Sequence, residues 1–582
     1  MIGARGTAQV ATKTIRVETV AQAYLELLRD RGIDCFFGNA GTDFASILDA
    51  LARFRAEGKA SPRPILVPHE YVAVSMAHGY YAVTGRPQVV MVHVSVGTAN
   101  AVGAIINAAR SQAPILFTAG RTPLTEEGLP GSRDIYIHWA QEAFDQAGMV
   151  REFVKWDYEL RNATQLEAVV DRALELAMAD PRGPVYLTLP REVLAQPVEA
   201  ITITSPPRRG AAGRRYPDPA RLAEAAELLA GSRFPLVVTS SAGRDPAAVG
   251  ALRALAEVGG IGVTETNPFY MNFPHDHPCH LGFGLPFEGN PAVAEADVLL
   301  VLDSDVPWYP SIQKPREEAR VIHLAVDPHF SRYPIRSYPS DVVLAADPAV
   351  ALGLLAEAVG KRVRPATAAS RTERLAAEHR AQRQAWLAAA RAEAEQRPIG
   401  FQWASRCVGE VLDRETIVVN EYPLDLRHAP LAEPGSYLAS PPSSGLGWGF
   451  GAALGAKLGA PGKTVIATLG DGAYLFSVPT ACHFAARMHE LPVLTVVFNN
   501  ESWDAVKSAC LGLHPDGWAA TTRHIPLSDL APAPRYEEIV RAFDGYGERV
   551  EEPAELVPAL RRALHAVREE RRQALLNVVC RR

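Results

Sequence analysis

A chain of 582 residues, at about 150 residues per domain, predicts three or four domains, each large enough for a core of its own. With 48% hydrophobic and 21% charged residues it is neither a disordered nor a fibrous chain, and 59 Lys plus Arg against 65 Asp plus Glu, a formal charge of −6, gives no basic excess to favour nucleic acid. Six cysteines without any C-x-x-C spacing read as reduced thiols, and neither a leader-like segment nor an 18-residue charge-free apolar run is found, so a cytoplasmic protein with no membrane partner is expected.

In chain order, short β-branched runs alternate with longer Ala/Leu-rich helical stretches. The first block, about 15–200, has Gln88 to Val96, Pro114 to Thr118 and Val185 to Leu189; the second, 215–360, has Pro235 to Thr239, Val298 to Leu302 and Val321 to Val326. The third, 398–582, has Thr416 to Asn420, Val465 to Leu469 and Val493 to Phe498. This alternation predicts an α/β chain of three doubly wound parallel-sheet domains. Ser205 to Arg215 (SPPRRGAAGRR) and the charged, Ala-rich Arg371 to Arg397 break the pattern as a linker and a solvated helical connector. No solenoid-length repeat is present, although the first and third blocks have the pattern of distant relatives.

In the first block, PHEYVAVSMAHGYYAVTG (Pro68 to Gly85) sets Glu70 at the start of an apolar-striped helix, where taken alone it is a first-turn acid favoured by the helix dipole. In the second, FPHDHPCHLG brings His275, His277, Cys279 and His280 together, but its proline-rich context reads as a loop beside a strand and not as a zinc site. The turn SSAGRDP (Ser240 to Pro246) lacks a glycine-rich fingerprint, so FAD or ADP in the central block is left unassigned. GAPGKT (Gly459 to Thr464) is rejected as a phosphate loop, because Lys457 stands where a glycine is required and a strand follows.

The third block holds the most informative segment, Thr464 to Ser502. It sets Gly470-Asp471-Gly472-Ala473 at one strand's carboxyl end and Asn499-Asn500 at the next, with 26 residues between Gly472 and Asn499. In a parallel sheet these loops are neighbours at the ligand-binding edge. A carboxylate and an amide oxygen there suit Mg²⁺, and glycine N–H groups suit a phosphate.

This pair of loops resembles the diphosphate-binding motif of thiamine diphosphate enzymes, and the resemblance runs over nearly the whole chain. It implies that Asp471, Asn500 and the Ser502 carbonyl hold Mg²⁺, while Gly470, Gly472 and Ala473 lie along the diphosphate. SSGLGWGFGAALGAKLG (Ser443 to Gly459) is similar to the family's loop beneath the bent cofactor, with Leu446 as the wedge and the Ser444 carbonyl accepting from the aminopyrimidine; members often have Gly in place of Ser444. Glu70 then matches the carboxylate at the pyrimidine N1′, whose hydrogen bond favours the imino tautomer that activates the thiazolium carbon. The blocks become pyrimidine-binding (15–200), central (215–360) and diphosphate-binding (398–582), with the first block of one subunit facing the third of another in a homodimer or homotetramer.

Within the family, FFGNAGTDFASIL (Phe36 to Leu48), HVSVGTANAVGAIINA (His93 to Ala108) and VKWDYEL (Val154 to Leu160) are most similar to the benzoylformate decarboxylase group, and Gln141-Glu142 to the acetolactate synthase group. The likeness makes His93 a proton shuttle, Thr42 a substrate-orienting hydroxyl and Gln141 a further active-site residue. The decarboxylase's middle-domain histidine has no counterpart in Val301 to Ser311, where Trp308 and Tyr309 are expected to form an aromatic wall. Beyond the metal loop Glu501, Trp503 and Lys507 depart from the family's small or neutral residues. The expected activity is decarboxylation of a 2-oxo acid or acetolactate synthase-like carboligation. The alternatives are a 2-hydroxyacyl-CoA lyase acting on an acyl-CoA substrate, with His514 to Pro534 as a covering segment, and a non-catalytic cofactor-binding subunit.

Overall fold

The computed structural model describes residues 11–205, 213–286 and 288–581, so 206–212 of the linker lies outside the described residues. The chain forms two compact units, one of residues up to 205 with 441–460 and 480–489, the other of the remainder. Three parallel sheets flanked by helices give the α/β architecture that the alternation predicts.

In the first unit the strand order is Arg63–Leu66, Cys35–Gly38, Gln88–Val92, Ile115–Arg121, Val185–Pro190, Asp157–Glu159. Every pairing in this sheet is parallel, and its inner strands Gln88–Val92 and Val185–Pro190 are buried throughout, as continuous apolar runs require. The sheet starts at Cys35–Gly38 and grows both ways, so a crevice opens at the carboxyl ends of Cys35–Gly38 and Gln88–Val92. The run Gln88 to Val96 is not one strand. It stops at Val92, and the helix Val94–Arg110 begins on Val94 at φ 36°, a strained value for a β-branched residue.

The helices Glu70–Thr84 and Trp448–Gly459 pack along each other in the same unit. A Cβ on Gly79 would stand 2.0 Å from the Ala452 carbonyl oxygen and one on Gly455 1.9 Å from that of Met76, so only glycine permits this approach. Residues 441–460, assigned by sequence to the third block, therefore pack with the first.

In the second unit the central sheet runs His280–Gly284, Gly262–Thr266, Pro235–Thr239, Val298–Leu302, Arg320–Ala325, Val342–Ala345. The last sheet runs Ile399–Gly400, Ala574–Arg581, Leu494–Asn499, Thr464–Gly470, Thr416–Glu421, Tyr437–Ala439, with Tyr546–Val550 also on Ala574–Arg581. Setting aside the edge pair Ile399–Gly400, the last sheet repeats the first strand for strand: second, first, third, fourth, sixth, fifth in chain order. Its switch point lies between Thr416–Glu421 and Thr464–Gly470, and Asp471 leaves the sheet there. The connector is one helix, Pro365–Ala392, anchored through buried Arg371, Leu375 and Ala390.

Candidate active site

The crevice of the first sheet is lined by the loop after Cys35–Gly38 and the residues after Gln88–Val92. His93 Nδ1 meets Asp43 Oδ1 at hydrogen-bonding distance, and Asp43, 2% exposed, also accepts from the Val94 N–H at 3.3 Å. The carboxylate thus holds the strained start of the helix as well as the ring. Space for the pair comes from Gly41 and Gly120: a Cβ there would lie 2.1 Å from His93 Nδ1 and 1.7 Å from Asp43 Oδ2. Gln141 Nε2 donates to His93 Nε2 at 3.1 Å, so the ring carries its proton on Nδ1. Thr42 Oγ1 accepts from Arg133 Nη1 at 2.7 Å, and Gln141 Oε1 stands 3.5 Å from Arg133 Nη2. The structure brings the predicted His93, Thr42 and Gln141 together and adds Asp43 and Arg133, which the sequence reading missed.

Glu70 opens its helix, half-buried, and its Oε2 accepts from Asn100 Nδ2 at 2.6 Å. The next residue, Tyr71, reaches the 443–446 loop: its hydroxyl lies 2.7 Å from the Leu446 carbonyl oxygen and 3.0 Å from that of Gly445. Asn107 clamps the loop further, accepting from Ser443 Oγ and the Gly445 N–H and donating to the Gly445 carbonyl. Ser444 has φ 54° and Gly447 φ 90°. The left-handed conformation at Ser444 is one that glycine adopts without steric cost.

In the second unit Asp471 stands just beyond Thr464–Gly470 and Asn500 just beyond Leu494–Asn499, two strands paired side by side. Asp471 Oδ1 accepts from the Gly472 N–H at 2.9 Å, while Oδ2 is buried without a hydrogen-bond partner. Burial pushes this carboxyl up to about 6, backbone N–H groups of 472, 501 and 502 oppose that, and Asp504 adds like charge. Asn500 Oδ1 accepts from the Ser502 N–H at 3.2 Å, and its Nδ2 donates to Asp504 Oδ2 at 2.8 Å. A buried carboxylate oxygen without a partner, a second carboxylate and an amide oxygen are a donor set that a hard divalent cation fits. Gly470 and Gly472 flank Asp471, and Ala473 follows on the short helix Asp471–Phe476. The 528–530 backbone pairs with 501–503 through Trp503 N–H to Ser528 and Leu530 N–H to Glu501, so part of the segment His514 to Pro534 folds against the loop that follows Leu494–Asn499.

One further expectation changes. Trp308 is no pocket wall: it is 5% exposed in the central core, edge-on to Tyr338. Lys507 Nζ is engaged by Asp529 at 2.6 Å. The histidine cluster separates: His277 turns to Glu257, while His275 and His280 Nε2 approach one oxygen of the fully buried Glu265, at 3.0 and 3.1 Å. The candidate ligand atoms of Glu265, His275 and His280 all lie within 4.8 Å of one another. In the turn after Pro235–Thr239 the Gly243 N–H donates to Asn272 Oδ1 at 2.9 Å.

Three family models match the chain: the N-terminal TPP binding domain of thiamine pyrophosphate enzymes at residues 18–149, their central domain at 222–355 and their C-terminal TPP binding domain at 424–578. Benzoylformate decarboxylase of Pseudomonas aeruginosa is 28% identical over 573 residues, 95% of this chain and 98% of the relative. An acetolactate synthase large subunit of Mycobacterium tuberculosis is 28% identical over 549 residues, 92% of each chain. The solved 4-hydroxybenzoylformate decarboxylase of Rhodococcus jostii RHA1 shares the fold with a TM-score of 0.76 at 23% identity, covering 97% of this chain and 99% of that one. With all three domains matched in order and both thiamine pyrophosphate-binding domains present, the chain belongs to the thiamine pyrophosphate (thiamine diphosphate) enzymes, as a decarboxylase or carboligase of that family.

Proposed function

We propose that the enzyme, with thiamine diphosphate and Mg²⁺, cleaves or forms the C–C bond next to a carbonyl, most directly by decarboxylating a 2-oxo acid or ligating the resulting acyl unit. The observation that carries this reading is the buried, unpartnered Asp471 Oδ2 beside Asn500 at a sheet switch point. Asp471, Asn500 Oδ1 and the Ser502 carbonyl would hold the metal, with Gly470, Gly472 and Ala473 along the diphosphate. The bound cofactor supplies a carbon nucleophile and an electron sink for the pair left behind when carbon dioxide departs. Glu70 would hold a proton at the pyrimidine N1′, the Ser444 carbonyl would accept from the amino group, and Leu446 would be the apolar wedge beneath the cofactor. His93 moves a proton at Nε2, because Asp43 occupies Nδ1. Thr42 and Gln141 orient the substrate.

The 2-hydroxyacyl-CoA lyase reading needs a cation for the CoA phosphates, and Lys507 is already paired with Asp529, which favours the 2-oxo acid. The joint presence of Glu70, Asp471 and Asn500 speaks against a non-catalytic subunit. The working form in this reading is a homodimer or homotetramer in the cytoplasm. The test is turnover of a panel of 2-oxo acids and 2-hydroxyacyl-CoA thioesters with both cofactors added. Carbon dioxide release from a 2-oxo acid, slowed about 10²-fold or more in Glu70→Gln, is expected. Turnover of thioesters alone, or full activity in Glu70→Gln, would overturn the reading.

A further inference from the structure

Arg133 is an unusual residue to find beside His93. It is 8% exposed, its Nε is buried without an acceptor, and among the described residues it makes no ion pair. Its hydrogen bonds go to a neutral hydroxyl, Thr42, and at 3.5 Å to a neutral amide, Gln141. The nearby carboxylate, Asp43, is taken by the His93 ring and the Val94 N–H. Burial pushes the guanidinium below its ordinary range, Arg191 adds to this with its positive charge, and Asp43 only partly opposes it. A buried guanidinium without a carboxylate is costly to keep, and its planar fork suits a carboxylate or similar oxyanion gripped by two N–H groups.

We infer that Arg133 anchors an anionic group of the substrate, and that the group is not the carboxylate that leaves. A strong cation on the departing carboxylate would stabilise the ground state more than the transition state, where that charge is lost, and so would slow the reaction. An anion retained through the reaction is bound equally in both and gains only from the contact. The Gln141 amide touches both His93 and Arg133, so a substrate whose reacting carbon lies at His93 carries its second charge a few bonds away. The substrate class is therefore a 2-oxo acid with a distal anionic group, such as a 2-oxo dicarboxylate. This inference rests on the 2-oxo acid reading above.

The experiment compares matched pairs on the cofactor-loaded enzyme: 2-oxopentanoate with 2-oxoglutarate, and 2-oxohexanoate with 2-oxoadipate, following carbon dioxide. The dianion is expected to be favoured in kcat/KM by about tenfold or more at one chain length or both, mainly through KM. That ratio should collapse in Arg133→Met and recover in part in Arg133→Lys. A monoanion favoured at both lengths, or a ratio unmoved by Arg133→Met, overturns the inference; the wild-type ratio stands even if a variant fails to fold. Thermal stabilisation of the same enzyme by glutarate against pentanoate separates the two layers. Arg133-dependent stabilisation by glutarate without turnover of any 2-oxo acid would remove the reaction and keep the anion site, whereas turnover restricted to monoanions would do the reverse.

Discussion

The Asp43–His93 pair shows what a single carboxylate does for this crevice, and how little of that a sequence displays. Asp43 fixes the tautomer of His93, caps the strained Val94 and fits only because Gly41 and Gly120 have no side chain. If His93 relays a proton, Asp43→Asn should lower kcat by about 10- to 10²-fold with a smaller change in KM, the scale of a misoriented acid–base group. Gly41→Ala should lower kcat similarly by displacing the ring. Steady-state kinetics check both, and wild-type kcat in the two variants would sever the pair from catalysis. The places of Glu70, Asp471 and Asn500 at the ends of their elements were legible because each follows a recognisable strand or turn within its own segment. Asp43, Arg133 and Asp504 were not: each gains its meaning from a partner brought close by folding, and locally Asp43 is one more acid in a first turn.

Elements were legible to the extent that one periodicity decided them. Runs such as Val298–Leu302 are buried on both faces and read as inner parallel strands, as they are. Gln88 to Val96 misled because Val94 and Val96 continue the β-branched run, yet the chain turns out of the sheet there to place His93 at the crevice. The partner of the Glu70–Thr84 helix was also hidden, since contact between helices depends on small residues at matching heights. That contact yields a stability prediction: Gly79→Ala drives a methyl into the Ala452 carbonyl and should cost about 1–3 kcal/mol in urea unfolding, despite alanine's better helix propensity. Gly462→Ala, with nothing within 4 Å, should stay within about 0.5 kcal/mol. Equal stabilities would show that the two helices do not pack this closely.

For the whole molecule, two sheets of one strand order each present a switch-point edge, the first with His93 and the last with Asp471 and Asn500. The kinship of first and third blocks read from their pattern agrees with this shared order; the strand order itself lay beyond the pattern, since alternation fixes parallelism but not sequence of pairing. Stability should also depend on pH through buried histidines. Burial pushes His78 down to about 3, where it accepts from Trp448 Nε1, and His323 down to about 4. These folded-state values lie below the unfolded one near 6.5, so as pH falls below 6.5 the unfolded chain takes up protons that the folded chain refuses. Stability is therefore lost from pH 6.5 downward, by about 2 kcal/mol between pH 6.5 and 5 for His78 alone. Urea unfolding at pH 7 and pH 5 measures this, and His78→Gln should flatten the dependence; stability rising toward pH 5 would refute the buried neutral assignment.

The central claim, that Asp471 and Asn500 bind the cofactor through a divalent ion, is tested most directly by titrating thiamine diphosphate into the metal-free protein by calorimetry, with Mg²⁺ and with excess chelator, in wild type and Asp471→Ala. Binding that requires Mg²⁺ in the wild type and is lost in Asp471→Ala is the result predicted. Binding of equal strength in chelator, or unchanged in Asp471→Ala, would contradict it.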